Sequence, residues 1–205
     1  MKISPTLTEV KEIAKTGKYD ILPVSCEILS DFITPIEAMR ILQNVSTHCY
    51  LLESAQANEA WGRYTFLGYD PKLEINCIDG HMKLGKLSVE TENPSEYIRQ
   101  ILSEYKSPKF DYLPSFTGGL VGYFSYDYLG YKEKCIRGKA RDTEDFKDVD
   151  LMLFDKVIAF DNLCQKIILI ANMSLDAPET GYNKAIVELK QLRELLRHGE
   201  KKQNM

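Results

Sequence analysis

Residues 149–173, VDLMLFDKVIAFDNLCQKIILIANM, constrain the fold more than any other part of the chain. Two long apolar runs, VDLMLFDKVIAFD and KIILIANM, flank the polar pair Asp161–Asn162. Runs this rich in Val, Ile, Leu and Phe read as strands, and a short polar break between them reads as an antiparallel hairpin. A two-stranded ribbon is not stable in water by itself. The rest of the chain must therefore supply more strands and an apolar cover.

It supplies both. YDILPVSCEIL reads as a strand, with Pro23 marking an edge or a bulge. HCYLLES and RYTFLG read as two more. In KLEINCIDGHMKLG, Leu73, Ile75 and Cys77 alternate with polar residues, and Asp79–Gly80 predicts a tight hairpin turn. A first helix is predicted after Ser4, with Ser4 as cap, Pro5 at the first position, Leu7, Val10, Ile13 and Ala14 on one face, and Gly17 as the stop. Thr34-Pro35-Ile36-Glu37 fits a capping box and opens a second helix, with Ile36, Met39, Leu42 and Val45 expected on its buried face. Asn93-Pro94-Ser95-Glu96 opens a third, whose face is Tyr97, Ile98, Ile101, Leu102 and Tyr105. The last starts near Pro178 and buries Tyr182, Ala185, Ile186, Leu189, Leu192 and Leu196, and RHGEKKQNM beyond it is expected to fray. Strands outnumber helices and short hairpins join several of them. That predicts an α+β fold: largely antiparallel sheet, with helices packed on the outer face. One domain is expected over residues 1–197, with 198–205 as a polar tail.

Other segments define limits. In FTGGLVGYFSYD, glycines 118, 119 and 122 interrupt a strand-like run, which signals a bulge or the close approach of another backbone. The run lacks a G-K-[ST] ending, so it is not a phosphate loop. Residues 131–148 mix six Lys/Arg with five Asp/Glu and read as a solvated loop. A net charge of −4 gives no basic surplus for a nucleic-acid partner. No apolar run reaches the roughly 20 residues that span a bilayer, and the N-terminus has no apolar signal region, so a cytoplasmic, non-membrane protein is expected. Five widely spaced cysteines form no C-x-x-C pair, which speaks against zinc and redox sites. No catalytic motif of the H-x-x-x-H or G-x-S-x-G kind is present.

One stretch does gather chemistry. LLESAQANEAWGRYTFLGYDP, residues 51–71, places Glu53 and Ser54 at a strand end and follows them with Trp61, the single tryptophan, and then Arg63, Tyr64 and Phe66. A free aromatic amino acid needs such groups. Glu53 can pair with an ammonium, Arg63 can take a carboxylate bidentately, Ser54 can bond either, and the three rings can pack on the side chain. The bland alternative is a solvated strand end, with Arg63 paired to a surface acid and Trp61 and Phe66 in the core.

At these residues the sequence resembles the N-terminal domain of anthranilate synthase component I, whose L-L-E-S motif precedes a GRYSF-G-P run. FTGGLVGYFSYDYL is similar to the family's GGxxGYxxYD segment, DVDLMLFDKVIAFDN to its PDxxLMxxDxVxVFDH segment, and the run into Thr34-Pro35 to its TPVxA helix start. The likeness covers about residues 5 to 197, with Lys147–Asp148 where the family often has Pro-Asp and Asn162 where it often has His. It implies a non-catalytic, regulatory domain whose L-tryptophan site includes Ser54 and Glu53, with Trp61, Arg63, Tyr64 and Phe66 from the stretch just after. It also implies partners: a catalytic domain that binds chorismate and Mg2+, and a glutamine amidotransferase subunit. No cofactor is expected in this chain. In the intact enzyme the implied reaction converts chorismate and glutamine-derived ammonia to anthranilate and pyruvate. Family members are commonly more than twice as long, so an excised domain or a truncated product is expected, inactive alone. The alternatives are the related domain of aminodeoxychorismate synthase component I and a non-catalytic interaction module.

Overall fold

The computed structural model describes residues 2–53, 62–133 and 146–202. In chain order the elements are β1 Ile3–Ser4, α1 Leu7–Lys15, β2 Ile21–Leu29, α2 Pro35–Val45, β3 Cys49–Leu52, β4 Tyr64–Tyr69, β5 Leu73–Ile78 and β6 His81–Leu84. Then follow β7 Leu87–Glu90, α3 Pro94–Ser103, β8 Gly119–Phe124, a 3-10 turn Tyr126–Tyr131, β9 Val149–Phe154, β10 Lys156–Asp161, β11 Lys166–Ser174 and α4 Pro178–His198. They form two compact units. One holds Met1–Asp70, Tyr105–Gly118 and Asp155–Met205, and the other Pro71–Glu104 and Gly119–Phe154. Every strand pair among the described residues is antiparallel, and the architecture is the expected α+β.

The first unit is a six-stranded sheet in the order β1-β2-β11-β10-β4-β3. Its main core lies between one face of the sheet and α1, α2 and α4, and includes Val10, Leu42, Leu67, Phe160, Ile167, Leu169 and Leu189. The other face carries Val157, Ala159, Ile168 and Ile170, covered by Leu113 and Phe116 of the 105–118 segment. β11 is thus buried on both sides, which explains why KIILIANM runs apolar without alternation. Pro23 sits where its missing N–H costs nothing, because β1 covers only Ser25 and Cys26 of β2.

Four expectations about this unit need correction. Thr6, not Ser4, caps α1: its side chain accepts from Glu9 N–H while the Glu9 carboxylate takes the Thr6 N–H. Ser4 is instead a β1 residue paired with Ser25. The α2 cap stands as read, with Thr34, Pro35 and Glu37 in place, but the buried face is Ala38, Ile41 and Leu42, while Ile36 and Val45 are half exposed. A small alanine lets the helix lie close to the sheet and turns Ile36 away. The tail does not fray at 199–202: Lys202 N–H bonds to Arg40 C=O, Asn44 Nδ2 to Glu200 C=O, and Lys201 pairs with Glu37. Finally, VDLMLFDKVIAFD is not one strand. It breaks at Asp155 into β9 and β10, which belong to different sheets. Asn172 holds the break, giving its backbone N–H and its Nδ2 to the Asp155 carbonyl at 2.8 and 3.0 Å.

The second unit is a five-stranded sheet, β7-β6-β5-β9-β8, with α3 against it. The turn at Asp79 (φ 49°) and Gly80 (φ 83°) closes the β5–β6 hairpin as the sequence requires. β7 has almost no sequence signal, since Leu87 is exposed. In α3, Leu102 points outward and Ile98 and Pro94 are the buried residues. Gly122 (φ 153°) faces a backbone, as its glycine pattern predicts: a Cβ there would lie 1.9 Å from the Asp150 carbonyl oxygen. The polar run beginning at Tyr131 is anchored at both ends. Tyr131 Oη donates to Asp148 Oδ2 and accepts from Gly80 N–H, and Asp148 Oδ2 also takes the Asp79 N–H. Most of that run, 134–145 with Cys135, lies outside the described residues.

Candidate functional site

β3 and β4 pair with Tyr50 opposite Gly68 and Leu52 opposite Phe66. Tyr64 and Phe66 alternate with buried Thr65 and Leu67, so their rings fall on the face away from the helices. There they start an aromatic row. The Tyr64 and Phe66 centroids are 5.8 Å apart, Phe66 meets Phe116 at 5.6 Å and 81°, and Phe116 meets Tyr50 at 6.4 Å and 76°. The last two are edge-to-face contacts, which the ring quadrupole favours. Tyr50 lies across Gly68, where a Cβ would come within 2.2 Å of its ring. Burial pushes the Tyr50 phenol well above its usual range.

Arg63 stands at the open end of the row. Its guanidinium lies 4.9 Å from the Tyr64 ring centroid, a cation–π placement. Nε donates to both carboxylate oxygens of Asp161, at 3.1 and 3.2 Å, and Nη2 donates to Oδ2 at 2.6 Å. Asp161 is 3% exposed, and it also accepts the backbone N–H groups of Leu163 and Cys164. Burial raises its carboxyl pKa, but the Arg63 bonds and the Cys164 N–H outweigh that and hold it below the usual value. The same bonds raise the Arg63 pKa. Nη2 reaches Cys164 Sγ as well, at 3.6 Å. Nη1 has no hydrogen bond to the described residues.

Glu53 is placed differently. It is exposed and stands across from Thr65, whose Oγ1 donates to Glu53 Oε1 at a long 3.5 Å and accepts from Asn162 Nδ2 at 3.3 Å. Glu53 therefore meets the sheet on the face opposite Tyr64 and Phe66. The structure brings Arg63, Tyr64 and Phe66 together and sets Glu53 apart from them. Ser54 and Trp61 lie outside the described residues. Sequence reasoning missed Tyr50, Phe116 and Asp161. Tyr50 carried a usable signal, alternation with Leu52 in a strand. Phe116 sits in an aperiodic loop, and Asp161 reads as an ordinary turn acid.

A cationic fork whose Nη1 edge bonds none of the described residues, beside a row of rings, suits a ligand with a carboxylate and a flat apolar body. Among the described residues no group of three or more His, Cys, Asp or Glu side chains is arranged to hold a metal ion, so no metal chemistry is derived from them. None of the described helices is long and apolar enough to cross a membrane.

No family model matches the chain. It is similar to anthranilate synthase component 1 of Acetivibrio thermocellus, with 34% identity over 198 residues, 94% of this chain and 39% of that protein. The Pseudomonas aeruginosa protein of the same name is 36% identical over 197 residues, 92% and 39% of the two chains. Among solved structures, anthranilate synthase component I from Streptococcus pneumoniae TIGR4 aligns with a TM-score of 0.56 and 27% identity, covering 84% of this chain and 37% of that one. The chain spans about two fifths of the length of the curated relatives it matches.

Proposed function

The chain is homologous to the N-terminal region of anthranilate synthase component I, and from that premise we propose that it is the L-tryptophan-binding regulatory part of such an enzyme. The observation that supports a ligand of this kind is Arg63, held beside the Tyr64–Phe66–Phe116–Tyr50 row. The indole lies along the rings and the carboxylate meets the guanidinium, with Ser54 as the further contact; Glu53, on the opposite face of β4, is left out of this arrangement. In the intact cytoplasmic enzyme, chorismate chemistry, Mg2+ and the glutamine amidotransferase are assigned to the partner domain and subunit. Feedback inhibition then requires that tryptophan bind the inactive arrangement more tightly, by typically about 1–3 kcal/mol.

The test is a titration of the chain with L-tryptophan, with L-phenylalanine as control, followed by backbone amide NMR. Saturable, tryptophan-selective shifts at Glu53, Ser54 and Arg63 are expected. Equal and unsaturable responses to both amino acids would defeat the reading. In the longer enzyme, Ser54→Ala is expected to relieve tryptophan inhibition and leave anthranilate formation intact.

A further inference from the structure

We propose that Asp161 is the positioning residue of this effector site: through its paired bonds to Arg63 it aims the guanidinium's Nη1 edge at the ligand carboxylate and so sets selectivity for aromatic carboxylates. The proposal rests on the tryptophan-binding reading and adds to it a residue outside the 51–71 stretch.

Arg63 precedes β4 and has a long side chain with many rotamers, so nothing local fixes where its charge points. Asp161 removes that freedom. It is buried at the end of β10, directly across from Tyr64 in the sheet. Two backbone N–H groups of the following turn lock its carboxylate. A carboxylate fixed by the backbone and paired to Nε and Nη2 leaves one orientation for the planar guanidinium. In that orientation the guanidinium carbon lies over the Tyr64 ring, and the two N–H groups of Nη1 are the donors left over among the described residues. Preorganisation of this kind favours binding by sparing the ligand the cost of ordering the side chain.

The charged and titratable neighbours are few. Cys164 faces Nη2 from the β10–β11 turn. Asn162, in the same turn, bonds Thr65 on the other side of β4 and serves as an internal control.

The experiment uses the whole chain and three probes: L-tryptophan, indole-3-propionate, which keeps the carboxylate alone, and tryptamine, which keeps the ammonium alone. Asp161→Asn retains an oxygen for the turn N–H groups but releases Arg63. It is expected to weaken L-tryptophan and indole-3-propionate about 10-fold each, as loss of one charge-assisted contact does, and tryptamine less than about 2-fold. Asn162→Ala is expected to leave the ratio among the three unchanged. Equal losses for all three probes in Asp161→Asn, or no loss at all, would overturn the proposal while leaving tryptophan binding standing. A wild-type chain that fails to bind tryptophan would overturn the effector reading and this one with it. Should Asp161→Asn fold poorly, the wild-type side-chain NMR spectrum decides. The Arg63 Nε–H signal is expected to remain hydrogen-bonded to Asp161 throughout an indole-3-propionate titration while the Nη signals shift. Displacement of Asp161 by the ligand would be fatal to the proposal.

Discussion

Asp161 and Arg63 form a carboxylate–guanidinium pair with the carboxylate buried, and its energetics can be predicted. Removing one partner of a buried pair strands the other charge, at about 3–5 kcal/mol. Arg63 is 37% exposed at its side chain, and water screens part of that cost. Asp161→Ala should therefore lower stability by about 2 kcal/mol, read as a shift of the urea midpoint at constant m-value. The pH dependence follows from the depressed carboxyl pKa. The pair's contribution is complete above about pH 4, where an unfolded Asp ionises, and it is lost as pH falls through the lower folded value. Acid titrations of wild type and Asp161→Asn should converge there, and parallel curves would contradict the assignment. Cys26 gives a second residue-level test. Burial, only partly offset by Arg193, pushes its thiol up to about 11. With almost no thiolate present, it should resist iodoacetamide at pH 8 in the native state and react once the chain is unfolded.

Among the elements, the starts of α2, α3 and α4 were legible, the start of α1 at Thr6 was not, and the helix faces were less so. Thr34-Pro35-Ile36-Glu37 specifies its own geometry through local bonds, and Asp79–Gly80 does so through positive φ. The face of α2 depended on what it packs against, and Ala38 carries no apolar signal strong enough to mark it. The Asp155 break was hidden for a related reason: a strand that changes sheets keeps the same apolar pattern on both sides of the change. The site was partly legible. Arg63, Tyr64 and Phe66 lie close in sequence, but Asp161 and Phe116 join them only through strand pairing and loop packing. Two element-level predictions follow from close contacts. Gly122→Ala drives a Cβ into the Asp150 carbonyl and should cost ~3 kcal/mol, seen as a lower thermal midpoint. The Lys201 bond, followed by the Thr34 N–H, holds the Glu37 carboxyl at about 2. The docking of residues 199–202 on α2 should then be at full strength above about pH 4.3, the unfolded Glu value, and fail as pH approaches 2. Backbone 15N relaxation at Lys201 and Lys202 would report that release.

For the molecule as a whole, the effector reading makes a claim about where stabilisation appears. A ligand at 100 times its Kd adds about 2.7 kcal/mol to whatever it binds. Saturating tryptophan should slow hydrogen exchange in β3, β4, β10 and β11, and uniform slowing limited to the five-stranded sheet would contradict the site. The strand order of the first sheet, β1-β2-β11-β10-β4-β3, also bears on the order of synthesis. On the ribosome, β1–β2 and β3–β4 emerge early as two separate ribbons, each with an apolar face and an open edge. The strands that join them, β10 and β11, are translated after the whole of the second unit, whose last residue is Phe154. The nascent chain thus carries two unmatched strand edges while residues 70–155 are made, the condition that invites mispairing and chaperone attention. A nascent chain stalled so that Phe154, but not β10, has cleared the ribosomal exit tunnel should hold a formed five-stranded sheet and an unformed six-stranded one.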